Sequence, residues 1–189
     1  LLIHYREIRE QTGLPLWVYN IPSTVKTVVE PSTIAKLASE KTVVGIKDSS
    51  GGGESLAQLT FLCEQAGIEL YRFAGTVFRI ATTNAIGAHG VIPSISNLIP
   101  EISVKAWEAG QIGDIETAHA YISKMTIASK LQNFNRSGGP VSKTISILKT
   151  SLKMMGVIDT DYMTKPLKPL AEEEKKSIPG ILRELQLLT

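Results

Sequence analysis

Thr42-Val43-Val44-Gly45-Ile46-Lys47-Asp48 is a short apolar run that ends on charge. Its length and β-branched content favour a strand, and the turn-forming residues Ser49 to Gly53 close it. Outward from this run the same alternation repeats. Upstream, residues 2–11 predict a helix stopped by Gly13. LPLWVYN (14–20) predicts a strand closed by Asn20-Ile21-Pro22, and Pro31-Ser32-Thr33 opens a helix to about Ser39. Downstream, Gly51-Gly52-Gly53 precede a helix over 54–66, followed by a strand ELYRFAG (69–75) and a helix from Phe78 to Ile86. AHGVIPS (88–94) predicts a fourth strand, and a helix follows Pro100 over 100–109.

Strands and helices in β-α-β-α order imply parallel pairing with right-handed crossovers. Four such units are half of an eight-stranded (β/α) barrel, so the expected class is α/β of the TIM-barrel type. Half a barrel leaves two sheet edges bare, an arrangement proteins avoid. The expectation is therefore that upstream strands lie outside these residues or that the chain pairs with another half; a small open α/β sheet is the third possibility. From about Gln111 the strand pattern stops, and residues 114–132, 140–155 and 171–187 read as helices. Gly138-Gly139-Pro140 separates the first two of these, and Pro166 and Pro169 precede the last. The expected division is a half-barrel over 1–110 and a three-helix C-terminal domain over 111–189.

Composition excludes several classes of function. The chain has 189 residues, 43% hydrophobic and 20% charged, with a net charge of +2. No basic block interleaves with aromatics, so nothing points to nucleic acid. No run of about 18 apolar residues predicts a membrane span. Cys63 stands alone, so no intrachain disulfide forms and a reducing, cytoplasmic setting is expected. Its helical neighbours make it a buried thiol rather than a nucleophile. His4, His89 and His119 lack metal-ligand spacing, so no metal site is expected. The first residues, LLIHYREIREQTG, carry charges too closely for a signal peptide and lack an initiator Met, which points to an origin inside a longer protein.

Functional residues of parallel α/β folds gather at the carboxyl ends of strands. Here those ends are Tyr19-Asn20, Lys47-Asp48-Ser49, Gly75-Thr76 and Ile92-Pro93-Ser94. Burial at the end of an apolar strand would desolvate the Lys47 ammonium, favour the neutral amine and make it nucleophilic. Such an amine condenses with a ketone, and the iminium formed lets a neighbouring carbon–carbon bond form or break. The plainer alternative is that Lys47 reaches solvent or pairs with Asp48. Tyr19, on the adjacent strand about 4.8 Å away, has a phenol suited to relaying protons, or is an ordinary strand aromatic. SSGGGES (49–55) lacks the Lys-Ser/Thr of a phosphate-binding loop, so its glycines are read as serving a tight turn.

YNIPS (19–23), GIKDSSG (45–51), Ala74-Gly75 and GAHGVIPS (87–94), in this order, resemble the dihydrodipicolinate synthase/N-acetylneuraminate lyase family; GGPVSKTISILK (138–149) extends the likeness into the helical tail. The resemblance implies the second half of a TIM-barrel class I aldolase with a C-terminal helical domain, commonly a homotetramer. It implies that Lys47 forms an imine with pyruvate or a related 2-oxo acid, with no other cofactor, and that Tyr19 relays protons. It places Gly75 and Ile92 at the backbone lining the pyruvate site, and Ser49 and Ser94 near bound substrate. The family's upstream motif, which holds the pyruvate carboxylate, has no match before Tyr19.

Two further departures bear on the aldehyde partner. Synthases of this family usually carry an arginine where Thr24 stands, gripping a carboxylate bidentately; Thr24 cannot do so. Sialic acid lyases carry acidic residues where this chain has Thr76 and Val77. By elimination the leading expectation is a 2-keto-3-deoxy sugar-acid aldolase or related lyase. The alternatives are dihydrodipicolinate synthase itself, which condenses pyruvate with aspartate semialdehyde, and an inactive half-barrel that only oligomerises; a phosphate-binding module at Gly51-Gly52-Gly53 is more distant.

Overall fold

A computed structural model describes residues 1–134 and 139–188; Gly138, part of the expected Gly-Gly-Pro separator, lies outside the described residues. The chain divides into two compact units, Leu1–Pro93 and Ser94–Thr189.

The first unit is a four-stranded parallel sheet with helices following its strands. Helix α1 (Leu2–Thr12) ends where Gly13 adopts φ 66° and returns its N–H to the Arg9 carbonyl. β1 (Leu16–Asn20) is followed by a single turn, α2 (Pro22–Val25), which the sequence pattern does not predict. Then come α3 (Pro31–Ser39), β2 (Val43–Asp48), α4 (Glu54–Ala66), β3 (Tyr71–Ala74) and β4 (Gly90–Val91). The sheet order is β1-β2-β3-β4, so each strand pairs with its sequence neighbour, as in half of a (β/α) barrel. Arg6 forks onto Glu40 at 2.7 and 2.9 Å, tying α1 to the end of α3.

Period-two alternation gives the sheet two unlike faces. Val18, Val43 and Ile46 are buried on the helix side with Ile34, Leu37, Leu56 and Leu59. On the other face Trp17 stacks on Phe73 at 5.2 Å and on Tyr71 at 6.1 Å. Gly45 pairs with Trp17 in the ladder, and a Cβ there would lie 2.5 Å from the indole ring. Gly90 is in the same position relative to Phe73, at 2.8 Å. Glycine fits both places without displacing the large ring that lies directly over the backbone.

Two expected elements come out differently. Residues 78–86 form a 3-10 helix over Ile80–Ile86 rather than an α-helix. The hydroxyls of Thr82 and Thr83 bond back to the carbonyls of Arg79 and Ile80, and such local bonds compete with α-helical pairing. The fourth strand shrinks from 88–94 to Gly90–Val91. Pro93 has no N–H for a ladder, and Ser94–Asn97 turn into a 3-10 helix.

The second unit is helical: α5 (Pro100–Gln111), α6 (Ile115–Ser129), α7 (Pro140–Met154), α8 (Glu172–Lys175) and α9 (Ile178–Glu184). Asp114 caps α6 by accepting the Thr117 N–H at 3.0 Å. The expected helix over 171–187 is two short ones, because Pro179 begins a new helix and cannot extend the one before it. Contacts divide the chain after Pro93 rather than after residue 110. The reason is that α5 packs on α6, burying Ala106, Ala109 and Ala118, whose small side chains let helices approach closely. Asp161 receives Lys153 at 2.8 Å and Lys175 at 3.1 Å, clamping the segment after α7. Among the described residues no helix is long and apolar enough to cross a membrane.

Candidate active site

The carboxyl ends of β1 and β2 are in register, Tyr19 opposite Lys47 and Asn20 opposite Asp48. The Lys47 ammonium donates to the Tyr19 phenol oxygen at 2.9 Å and lies 4.2 Å from the centre of its ring. The expected burial of Lys47 is partial in this half of a barrel: the side chain is half-buried and Tyr19 is 48% exposed, on the face a closed barrel would line. Its apolar neighbour Ile46 is buried against the helices, while alternation turns Lys47 to the opposite face.

Beneath this pair lies a second one, in which Asp48, weighed from the sequence only as an ion-pair partner for Lys47, bonds Asn20 instead. Asn20 and Asp48 are both buried. Asn20 Nδ2 donates to Asp48 Oδ1 at 2.9 Å, and Asn20 Oδ1 accepts the Val29 N–H at 3.1 Å. Asp48 Oδ2 accepts the Ser50 hydroxyl at 2.9 Å.

The rim continues across the sheet. Ser49 N–H donates to the Asn20 carbonyl at 2.8 Å, Gly75 N–H to Asp48 at 2.7 Å and Ile92 N–H to Ala74 at 2.9 Å. These bonds carry the ladder one step past each strand. A Cβ at Gly75 would collide with the Ser49 hydroxyl, so the close approach of these two loops requires glycine. Tyr19, Lys47, Ser49, Gly75 and Ile92 thus share one edge of the first unit. Thr24 lies on α2, the turn directly after β1, with its side chain exposed. Ser94 opens the second unit, its carbonyl accepting the Asn97 amide at 2.8 Å.

Gly51 and Gly53 adopt φ 131° and 84°, the tight turn expected of the glycine-rich stretch. A small cavity of about 70 Å³ lies between this turn and the loop after β3, lined by Gly52, Thr76 and Arg79 among others. The Arg79 guanidinium donates to the Gly52 carbonyl. Cys63 is buried on α4, and burial pushes its thiol up. His89 Nδ1 accepts the Arg72 N–H at 3.0 Å, and burial followed by the Arg72 charge holds its imidazole below the ordinary value. Among the described residues no three His, Cys, Asp or Glu side chains gather as metal ligands would.

Residues 1–185 match the dihydrodipicolinate synthetase family. A 4-hydroxy-tetrahydrodipicolinate synthase of Thermodesulfovibrio yellowstonii is 31% identical over 185 residues, which cover 98% of this chain and 60% of that protein. The dihydrodipicolinate synthase structure from Bacteroides thetaiotaomicron superposes with a TM-score of 0.86 at 25% identity, over 97% of this chain and 60% of that one. A structure described as the first monomeric dihydrodipicolinate synthase variant gives 0.83 at 28% identity, over 100% of this chain and 60% of that one. The chain therefore spans about 60% of the length of these relatives.

Proposed function

Because this chain belongs to the dihydrodipicolinate synthetase family, we propose that it carries the Schiff-base half of a pyruvate-dependent carbon–carbon lyase or synthase, with Lys47 as the nucleophile and Tyr19 as the proton carrier. The observation that carries the reading is the 2.9 Å bond between Lys47 Nζ and Tyr19 Oη at the carboxyl ends of paired parallel strands. In the proposed reaction Lys47 releases its ammonium proton to water, and the amine then adds to the ketone carbon of pyruvate. Loss of water from the carbinolamine leaves an iminium and requires a proton delivered to the departing hydroxyl. Tyr19 Oη is within reach of the nitrogen at which these protons move. The iminium then acidifies the pyruvate methyl group; Tyr19, having given its proton to the departing hydroxyl, takes up a methyl proton, and the enamine attacks the aldehyde carbon as the aldehyde oxygen takes a proton back. No metal or further cofactor enters this scheme.

For the aldehyde, the names borne by the relatives favour the condensation of pyruvate with aspartate semialdehyde over the sugar-acid cleavage that elimination on the sequence had put first. Thr24 favours the second reading, because its exposed side chain offers no guanidinium for a carboxylate. Borohydride added in the presence of pyruvate should leave a reduced adduct on the peptide containing Lys47. Absence of the adduct, or its appearance on another lysine, refutes the proposal. Comparing turnover of aspartate semialdehyde plus pyruvate with cleavage of 2-keto-3-deoxygluconate then decides the partner.

A further inference from the structure

Asn20 and Asp48 have no part in the chemistry proposed for their neighbours, yet both are buried polar side chains. Burial of an amide and a carboxylate is costly unless their hydrogen-bonding atoms are matched. Each bond these two make leads to a different segment. Asn20 spans to Asp48 at 2.9 Å across the two strands, and to the Val29 N–H at 3.1 Å in the linker between α2 and α3. Asp48 takes the Ser50 hydroxyl at 2.9 Å and the Ser50 N–H at 3.4 Å, where the glycine-rich turn begins. The main-chain ladder joins β1 to β2 without any of these bonds.

We infer that Asn20 and Asp48 are positioning residues, whose hydrogen bond beneath the sheet holds Tyr19 and Lys47 in contact above it. The inference rests on the proposed roles of Tyr19 and Lys47 and adds a claim those roles do not require. Register makes the link: the lower pair follows the upper pair by one residue on both strands, so anything that slides β1 along β2 separates both pairs at once. The residue types suit the task. Asparagine offers a donor to Asp48 and an acceptor to Val29 from one short side chain, and the two oxygens of Asp48 accept from Asn20 and Ser50. A misplacement of about 1 Å at a reacting group costs about 10²-fold in rate.

The test compares Asn20→Asp, Asn20→Ser and the exchange Asn20→Asp/Asp48→Asn in the full-length protein. Asn20→Asp sets two carboxylates against each other; Asn20→Ser shortens the side chain without adding charge and serves if the first variant does not fold. At saturating pyruvate, trapping at Lys47 in the folded single variants should slow by about 10²-fold, with the half-saturating pyruvate concentration changed by less than about threefold. The exchange restores one donor facing one acceptor and should return trapping to within about tenfold of wild type. Wild-type trapping in a folded single variant overturns the inference, as does an exchange that restores the melting temperature but not the trapping rate.

If the wild-type protein forms no adduct, the proposed function fails and Lys47 acetylation by limiting acetic anhydride decides the positioning claim. Tyr19→Phe should alter the Lys47 rate relative to Lys41 in the wild-type background and not in the Asn20→Ser background. Equal effects in both backgrounds refute it.

Discussion

Replacing Gly45 by alanine tests the packing that sets Lys47 in place. A Cβ at Gly45 would lie 2.5 to 2.6 Å from three carbons of the Trp17 ring. Carbon atoms settle at about 3.5–4.0 Å, so roughly 1 Å must be found. The indole is stacked on Phe73 and Tyr71, which resists sliding toward β3, but it is 42% exposed and can lift away from the sheet. Forced overpacking of this kind costs about 1–3 kcal/mol. For a chain of this length each kcal/mol lowers the melting temperature by about 2–4 °C, so a fall of about 2–12 °C is expected by circular dichroism. Trp17→Leu in the Gly45→Ala background should reduce the penalty that Gly45→Ala imposes alone, a coupling measured by a double-mutant cycle. Borohydride trapping shows which part yields: an intact rate means the ring lifts, and a slowed rate means β2 moves and carries Lys47 with it. A Gly45→Ala protein melting within about 1 °C of wild type, or a penalty unchanged by Trp17→Leu, refutes the argument.

Three further predictions follow from the site and its supports. Tyr19→Phe removes the acceptor of the Lys47 bond and should lower turnover by about 10²–10⁴-fold, the usual contribution of a positioned acid–base group, while the melting temperature stays close to wild type. His89 is held below its ordinary value, so the folded state disfavours its protonation. The stability linked to it is complete above the unfolded value of about 6.5 and falls as pH drops through the lower folded value. Urea titrations from pH 8 to 5 should show this slope, and His89→Asn, which keeps an acceptor for the Arg72 N–H, should flatten it. Asp161 is held well below the usual carboxylate range by the Lys153 bond first, opposed by burial and aided by Lys175. Its contribution is present above about pH 3.9 and disappears as pH falls through the folded value. Asp161→Asn should therefore destabilise the protein at pH 6 and lose that effect toward acid, as read from urea midpoints.

The sequence made the parallel order of the strands legible because each apolar run is bounded by turn residues and followed by a helical pattern. It was less informative where local hydroxyls compete with the backbone, as at Thr82 and Thr83, since a periodicity that suits an α-helix also suits a 3-10 helix. The fourth strand was overextended because AHGVIPS is apolar throughout, yet only Gly90 and Val91 pair. At the site, Lys47 was found from its place at a strand end, and its burial there is partial. A run of apolar neighbours suggested full burial, whereas alternation sets Ile46 against the helices and Lys47 on the opposite face. The pair Asn20 and Asp48 left only a weak signal: two short polar residues, one past each chemically marked position.

That weak signal follows from strand geometry. A two-residue motif at the end of a parallel strand presents one side chain to each face, so Tyr19-Asn20 and Lys47-Asp48 each supply one group above the sheet and one below. The upper face is the one a closed barrel would line, and in this half of a barrel Tyr19 is 48% exposed. A half-buried amine and a half-exposed phenol joined by one hydrogen bond would be poorly held by that bond alone, since a net hydrogen bond contributes only about 1 kcal/mol. The lower face is dry, and there an amide–carboxylate bond is worth more and an unmatched partner costs more. Order at the open site is therefore supplied from the buried side, through the backbone that both pairs share. Substitutions below the sheet should on this argument change the rate of imine formation more than pyruvate affinity, and substitutions at the exposed Thr24 should leave both unchanged and alter the half-saturating concentration of the aldehyde.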